Sequence, residues 1–306
     1  RKVDFRVSTF PSYYGEKVVM RILDTEKGIK TLEDLNMSEP HYQMVKEALK
    51  KPYGIILITG PTGSGKTTTL YGMLNALDKE GKNIVSLEDP VEYVVDGVNQ
   101  SQVMPEIGYT FASGLRSILR QDPDVILVGE IRDKETAKLA IQAALTGHLV
   151  LSTLHTNNSA GVIPRLIDME VDPFLIAPTL VLAMAQRLAK ATCEDSKQEV
   201  PMDEATRVMI NEQFKDLPDE FKSKLSIGNT MIQTVPSKTC PSGTKGRMAV
   251  FEMFPIDKDI EKVILENPTE LNIQNVAREK GMITMREDAI QKALAGKIPM
   301  QEIYNF

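Results

Sequence analysis

The sequence lacks a long apolar run. None of its 306 residues lies in a stretch that approaches the ~20 apolar residues needed to span a bilayer. The longest uncharged apolar run, residues 174–185, is short and contains Pro178, and we expect it to form a packed helix. The chain begins with Arg1 rather than with Met or an apolar signal segment, so we expect it to be part of a longer protein.

Cysteine and basic charge are scarce as well. Only Cys193 and Cys240 occur, which are too few and too far apart for a disulfide framework and fit a reducing cytoplasm. The net charge of -6 weighs against a surface that follows nucleic-acid phosphates, so no nucleic-acid partner is expected, although a local basic groove stays compatible with it. The 42% of apolar residues suffice for a substantial core divided into two or three lobes.

Two β-type runs open the chain. Residues 5–10 and 17–23 are separated by a turn that contains Pro and Gly, which predicts a hairpin. A helical stretch, residues 41–50, then ends before Pro52. From there, continuous apolar strands alternate with helix-length segments, which predicts a parallel sheet covered on both faces. The predicted strands are residues 54–59, 84–87, 125–128 and 149–154, and the predicted helices are residues 66–77, 111–119 and 134–145.

The C-terminal third has a different pattern. Residues 194–245 are polar, acidic and short of long apolar runs, and we expect a loosely structured appendage or insertion there. After Gly246 a short strand, residues 247–254, precedes amphipathic helices. Their apolar residues include Ile260, Val263, Ile264, Ile273, Val276, Met285, Ile290 and Leu294.

A glycine-rich motif follows the first buried strand. It matches the pattern G-x-x-x-x-G-K-[ST] and lies between a strand and a helix, as that pattern must. The glycines allow the backbone to close around a β-phosphate, Lys66 reaches the β- and γ-phosphate oxygens, and Thr67 can ligate Mg²⁺. A glycine-rich turn with a chance lysine is the weaker alternative. The predicted nucleotide-binding residues are Gly60, Pro61, Thr62, Gly63, Ser64, Gly65, Lys66, Thr67 and Thr68.

Carboxylates follow two of the predicted strands. Glu130 emerges at the carboxyl edge of the sheet, where an acid would lie near Mg²⁺; the alternative is that it only caps the next helix. Glu88 and Glu92 follow the strand before it, and one of these acids could orient an attacking water. The sequence leaves open which of the three activates water, which hold metal and which make only structural hydrogen bonds.

His155 ends the last predicted parallel strand, at the same edge as the acids. A sensor of the γ-phosphate is the functional interpretation, and a structural histidine is the alternative. His148 lies at the beginning of that strand and should point away from the nucleotide end, so a structural role is favoured for it.

In order and spacing these motifs resemble the Walker A, Asp box, Walker B and His box of the type II secretion and type IV pilus ATPases. They correspond to residues 60–67, 88–92, 120–133 and 146–157, and the resemblance covers essentially the whole chain. It implies Mg·ATP hydrolysis, a homo-hexameric ring, a cytoplasmic location at the inner membrane, and coupling to an inner-membrane platform protein.

The resemblance also implies a fold class and a division of the chain. The fold class is α/β: a RecA-like P-loop NTPase core with a partial N-terminal β lobe and a helical C-terminal subdomain. We expect the end of a PAS-like lobe with its linker at 1–36, the core at 37–190, a polar insertion with a degenerate metal-binding motif at 191–246, and the helical subdomain at 247–306.

Within this superfamily the assembly branch fits better than the retraction branch. Residues 251–257 and 281–289 resemble the assembly and secretion enzymes, as does the polar insertion. In many of those relatives the insertion carries two C-x-x-C pairs that bind zinc. Here Cys193 and Cys240 each lack the second cysteine of a pair, so zinc is not expected.

The family also suggests arginines that complete the nucleotide site. Arg6 and Arg21 match hairpin positions that contact phosphates when the ring closes, and Arg116 and Arg120 match a second pair at the subunit boundary. A guanidinium can stabilise the charge that develops on a γ-phosphate. A solvated or salt-bridged surface arginine is the alternative.

Other functions remain open on the sequence. A pilus retraction ATPase or a type IV secretion ATPase shares the core. A nucleic-acid-translocating RecA-like motor is more distant, and a scaffold that binds nucleotide without hydrolysing it is the non-enzyme alternative.

Overall fold

The computed structural model describes residues 4–23, 30–225 and 227–306. In chain order its strands are β1 (Asp4–Ser12), β2 (Gly15–Leu23), β3 (Gly54–Thr59), β4 (Ile84–Glu88), β5 (Asn99–Gln102), β6 (Val125–Val128), β7 (Leu149–Leu154), β8 (Leu180–Thr192), β9 (Lys197–Pro201), β10 (Thr230–Thr234) and β11 (Thr244–Pro255). Its α-helices are α1 (Glu39–Leu49), α2 (Lys66–Asn75), α3 (Phe111–Ile118), α4 (Lys134–Leu145), α5 (Val162–Asp168), α6 (Pro173–Thr179), α7 (Glu204–Gln213), α8 (Asp219–Lys222), α9 (Lys258–Glu266), α10 (Glu270–Glu279) and α11 (Met285–Leu294).

A seven-stranded sheet forms the centre of the fold, in the spatial order β11-β8-β3-β7-β6-β4-β5. Its neighbouring strands are parallel, apart from the antiparallel pair β8 and β11. Strands β3, β4, β6 and β7 are buried along their whole length, as strands covered on both faces must be. The predicted parallel sheet and the α/β fold class are therefore confirmed.

Two hydrophobic clusters lie on opposite faces of this sheet. Along β3, Ile55 and Leu57 belong to one cluster and Ile56 and Ile58 to the other, because successive side chains of a strand point to opposite faces. The first cluster includes residues of α3 to α6, α9 and α10, and the second includes residues of α1 and α2. This three-layer packing leaves the carboxyl ends of the parallel strands together at one edge.

The packed helix expected over residues 174–185 is wrong in its second half. α6 ends at Thr179, and β8 begins at Leu180 and runs between β3 and β11. A short apolar run carries no periodicity that separates a buried strand from a buried helix. The strand forms here because its backbone pairs with β3, with Leu180 opposite Ile55.

The appendage, residues 194–245, is folded, so the expectation of a loosely structured segment is wrong. β9 and β10 pair in antiparallel fashion, and α7 and α8 lie between them in sequence. Ile210, Phe214 and Leu217 are buried in one cluster with Ile290 of α11. Few apolar residues are sufficient because they pack against a helix outside the appendage.

Cys193 and Cys240 are joined in a disulfide, which contradicts the expectation that they are too few and too far apart for a disulfide framework. Cys193 directly precedes the appendage and Cys240 lies near its end, and the pairing of β8 with β11 places Thr192 opposite Thr244. The N–H of Cys193 also donates to the carbonyl of Gly243 at 3.0 Å. Their separation of 47 positions in the sequence does not measure their distance in space, because β11 brings the chain back beside β8.

Reduction of this disulfide is expected to destabilise the appendage. Opening a loop of 47 residues is expected to cost about 4 kcal/mol of local stability by the chain-entropy estimate. Hydrogen exchange of the appendage, measured with and without reductant, checks this. The variant Cys193→Ser should match the reduced chain and show no response to reductant. Equal protection of the oxidised and reduced chains would contradict the prediction.

β1 and β2 form the predicted hairpin, with Tyr13 and Tyr14 at its turn. Arg6 lies opposite Arg21 in the pairing register, while the side chains of both arginines lie outside the described part of the structure. The predicted amphipathic helices near the C-terminus are confirmed as α9, α10 and α11. Within the described ranges, no helix combines the length and the apolar character that a membrane crossing requires.

Candidate functional site

The phosphate loop, residues 60–67, runs from the end of β3 into the start of α2, as the sequence predicts. Gly60, Gly63 and Gly65 have φ angles of 146°, 81° and 90°, in a region that favours glycine. At Gly60 there is also no room for a side chain, since a Cβ atom would lie 2.3 Å from the backbone carbonyl oxygen of Gln186. The curvature of the loop therefore depends on its glycines.

Hydrogen-bond donors converge on this loop. α2 begins at Lys66 without a side-chain cap, so its first N–H groups are available to an anion. The buried hydroxyl of Ser64 has no partner within the described structure. The ammonium of Lys66 donates to the carbonyls of Gly60 and Pro61 at 2.8 and 3.1 Å. Burial lowers the pKa of Lys66, and the negative charge of Glu130 opposes that shift. These donors fit a triphosphate.

The loop opens into a cleft of about 590 Å³ at the carboxyl edge of the sheet. The residues that the sequence singles out and that line it are Thr62, Gly63, Ser64, Gly65, Lys66, Thr67, Thr68, Glu88, Glu92, Glu130 and His155. Gly60 and Pro61, the first two residues of the loop, are not among the residues that line the cleft, and their carbonyls accept from Lys66. One cleft thus brings together residues from three separate motifs and the phosphate loop.

Glu130 follows β6 and is only 14% exposed in its side chain. One carboxylate oxygen lies 2.6 Å from the guanidinium of Arg132, and the other lies 3.4 Å from Nε2 of His155. α4 is capped by Asp133, whose carboxylate accepts from the N–H of Thr136. The alternative that Glu130 caps this helix is therefore wrong, and its carboxylate faces the cleft.

Glu88 is buried at the end of β4 and is held by several donors. It accepts from the hydroxyls of Tyr71 and Ser86 and, at 3.1 Å, from Nε2 of Gln100. The Tyr71 hydroxyl in turn accepts from the N–H of Glu92 at 3.2 Å. Burial, followed by the bond to Glu88, raises the pKa of Tyr71 far above its usual range, so its phenol stays protonated. Tyr71 therefore fixes two predicted acids relative to each other.

Removing the Tyr71 hydroxyl is expected to destabilise the protein. Tyr71→Phe leaves the Glu88 carboxylate with one donor fewer and the Glu92 N–H without its acceptor, which should cost about 1–3 kcal/mol. Urea unfolding measures the change in the free energy of unfolding. Tyr53→Phe is the control, since that ring is 51% exposed and its replacement should change little. Equal unfolding midpoints for the two variants would contradict the assigned role.

Gln186 is a structural partner of the phosphate loop that the sequence did not reveal. From β8, its side-chain amide donates to the carbonyl of Ser64 at 2.9 Å and accepts from the hydroxyl of Thr69 at 2.7 Å. Leu188 and Arg247 also line the cleft. The same two residues line a second cavity, of about 450 Å³, which lies beside Thr68. In the sequence Gln186 directly follows the apolar run 174–185, and nothing near it marks contacts to residues more than 100 positions earlier.

Two predicted arginines lie outside the cleft. Arg116 on α3 forms an ion pair with Glu135, and its side chain is 52% exposed. Arg120 donates to the carbonyl of Arg116 at 2.9 Å. His148 lies away from the cleft as well, with its Nδ1 2.9 Å from the carbonyl of Ala143, in agreement with a structural role. Neither arginine completes the site within this chain.

The glycine-rich loop between β3 and α2, set at the edge of a parallel sheet, defines a P-loop protein with a RecA-like fold. The chain belongs to the type II/IV secretion system protein family, whose family model matches residues 1–305.

Two curated relatives illustrate this membership. The chain is 44% identical over 302 residues to the type IV pilus assembly ATPase PilB of Thermus thermophilus, covering 98% of this chain and 33% of that protein. It is 44% identical over 304 residues to the type II secretion system protein E of Dickeya dadantii, covering 99% of this chain and 58% of the relative. The chain therefore spans between a third and three fifths of the length of these relatives.

A solved structure of the pilus retraction motor PilT with bound ADP is similar to this chain. The TM-score is 0.69 at 28% identity, over 98% of this chain and 73% of the other. The ATPase DotB of Legionella pneumophila has a TM-score of 0.68 at 24% identity, over 98% of this chain and 72% of that chain, and shows the fold alone.

Proposed function

We propose that this chain is the motor part of an ATP hydrolase that powers type IV pilus assembly or type II protein secretion. One observation carries the proposal: the phosphate loop, Glu130 and His155 line a single cleft. The names of the relatives, a pilus assembly ATPase and a secretion system protein, support the same function. ATP hydrolysis would move the N-terminal lobe relative to the RecA-like core, and this movement would act on a partner protein.

The lining residues suggest how ATP would be held. The uncapped start of α2 and the ammonium of Lys66 face the position of a β- and γ-phosphate. The Thr67 hydroxyl and the Glu130 carboxylate supply oxygen ligands of the kind that Mg²⁺ prefers, and the bound ion would neutralise phosphate charge. His155, in contact with Glu130, would sense the γ-phosphate. One of the three acids would orient water.

The other end of the nucleotide would occupy the second cavity. This cavity begins at Thr68, one residue past the phosphate loop, and is lined by Leu188, Tyr93 and Met248. These side chains offer apolar and aromatic surfaces to a base, and Arg247 lies between this cavity and the cleft. The nucleoside would therefore lie beside β8 and β11.

The arginines support a ring of subunits. Arg116 on α3 and Arg120 in the turn after it are both exposed and lie outside their own cleft, which is compatible with a role at the site of a neighbouring subunit. Arg6 and Arg21 would reach the phosphates when the N-terminal lobe closes. The proposed assembly is a homo-hexamer that works in the cytoplasm against an inner-membrane platform protein, without zinc and without nucleic acid.

Pilus retraction is the second candidate, favoured by the likeness to the PilT structure. That likeness comes with 28% identity, whereas the pilus assembly and secretion relatives reach 44%. A deletion strain separates the two: loss of surface pili supports assembly, and hyperpiliation supports retraction. A type IV secretion ATPase shares the same fold and remains a further alternative.

Phosphate release from Mg·ATP, recorded together with molecular mass over a range of protein concentrations, tests the proposed activity. Turnover per chain should rise as larger assemblies form, because a ring-completed site needs neighbours. A chain that binds nucleotide and never releases phosphate would instead be a scaffold. Stimulation by single-stranded DNA that weakens with salt would favour a nucleic-acid motor.

A further inference from the structure

The His155 segment, residues 155–159, is fixed at both ends. Near its start, the N–H of Thr156 donates to the hydroxyl oxygen of Thr59 at 2.6 Å, and Thr59 is the last residue of β3 before the phosphate loop. At its end, the N–H and the hydroxyl of Ser159 donate to one oxygen of Glu252, at 2.9 and 2.6 Å. The segment thus joins the phosphate loop to β11.

Glu252 connects this segment to the C-terminal helices. Its second carboxylate oxygen accepts from the N–H of Met285, the first residue of α11, at 3.2 Å. The side chain lies in the core, 6% exposed, and its three donors are all neutral groups. A buried carboxylate is costly unless its oxygens are satisfied. An apolar side chain would fill this part of the core at a lower desolvation cost. The carboxylate is therefore explained by the three donors that it holds in place.

We propose that Glu252 is a positioning residue for His155 and that it couples the nucleotide cleft to the start of α11. This inference rests on the proposed ATPase function. His155 is 44% exposed in its side chain and contacts Glu130 at 3.4 Å. With so little packing around its ring, the position of His155 is set by the backbone of the segment behind it, and Ser159 holds that backbone to Glu252.

A second tether reaches the same segment from α10. The side-chain amide of Asn158 donates to the carboxylate of Glu270 at 2.6 Å, and its oxygen accepts from the N–H of Gly161 at 2.8 Å. Glu252 and Glu270 therefore hold neighbouring residues of one segment. A shift of α10 and α11 against the sheet pulls on the His155 segment at two points, and a shift of His155 on the γ-phosphate acts on the helices in return.

Kinetics of the whole chain test the positioning role. Glu252→Gln keeps size and shape but replaces one accepting oxygen with an NH₂ group, so one of its two sets of donors loses its partner. We expect kcat for ATP to fall about 10- to 100-fold, while KM stays within about twofold because the phosphate loop is untouched. Glu302→Gln is the matched control, since Glu302 accepts from the N–H of Lys190 away from the segment.

A double-mutant cycle adds a second test. Ser159→Ala should lower kcat on its own, and the double variant with Glu252→Gln should be little slower than the slower single variant, because both changes break the same contact. Effects that multiply in full would overturn the proposal. A rise in KM with unchanged kcat would overturn it as well.

NMR of the histidine rings reads the position of His155 without any need for turnover. The chain has three histidines, so His41 and His148 serve as internal references. In Glu252→Gln and in Ser159→Ala, the Cε1–H signal of His155 should move while the other two stay in place. An unmoved His155 signal would overturn the inference. If Glu252→Gln unfolds the chain and moves all three signals, the spectrum of Ser159→Ala decides whether Glu252 positions His155.

The NMR experiment also separates this inference from the proposed function. A chain without any ATPase activity would refute the proposed function, whereas the histidine signals would still test the positioning role of Glu252.

Discussion

Replacing Lys66 by alanine is expected to lower ATP turnover by about 10²- to 10³-fold. In the structure the ammonium bridges the carbonyls of Gly60 and Pro61, which keeps a positive charge at the mouth of the phosphate loop. On binding of ATP it would exchange these carbonyls for phosphate oxygens, whose negative charge makes the stronger partner. Steady-state phosphate release measures the loss.

Lys51→Ala is the matched control for this experiment. Lys51 is an exposed lysine in the turn between α1 and β3, away from the cleft, and its loss should leave turnover unchanged. If Lys66→Ala retained the turnover of the unaltered chain, the cleft at the phosphate loop could not be the site of hydrolysis.

Glu130→Gln is expected to lower turnover by about 10²- to 10⁴-fold while nucleotide still binds. The replacement keeps the volume of the side chain but removes the negative charge that faces the ammonium of Lys66, Arg132 and His155. Without that charge, both the proposed ligand of Mg²⁺ and a candidate base for the attacking water are lost. Turnover and equilibrium binding of ATP, measured on the same sample, separate a loss of catalysis from a loss of nucleotide binding.

Glu47→Gln provides the comparison. Glu47 pairs with Lys50 on the surface, so its replacement removes the same charge from the chain outside the cleft. Similar turnover in Glu130→Gln and Glu47→Gln would contradict the role assigned to Glu130. Since Glu88 is already committed to donors from Tyr71, Ser86 and Gln100, we expect Glu88→Gln to act more on stability than Glu130→Gln does.

The parallel sheet was predictable because strands that are buried on both faces consist of continuous apolar runs, which are visible in the sequence. β7 and α4 have the predicted bounds, and β3 and β6 do as well. β5 was missed because its residues are polar and only partly buried at the edge of the sheet, where pairing with β4 and not apolar burial defines it. The second half of residues 174–185 was misassigned because only the neighbouring strands make it a strand.

The chemistry-bearing residues of the cleft were predictable for a related reason. Motifs that follow parallel strands must meet at one edge, so the order of the motifs along the chain is enough to bring Lys66, Glu130 and His155 together. The supporting residues could not be predicted in this way. Gln186 and Glu252 act through contacts that span 122 and 93 residues of sequence, and nothing near them in the chain marks those contacts. The cysteine pair was missed for the same reason, since β-pairing and not sequence distance brings the two together.

A crystal structure with Mg²⁺ and a non-hydrolysable ATP analogue tests the central claim most directly. We predict the triphosphate inside residues 60–67, with the Lys66 ammonium moved from the carbonyls of Gly60 and Pro61 to the phosphate oxygens and Glu130 beside the metal. An analogue bound elsewhere, with Lys66 still closing the loop on itself, would contradict that claim.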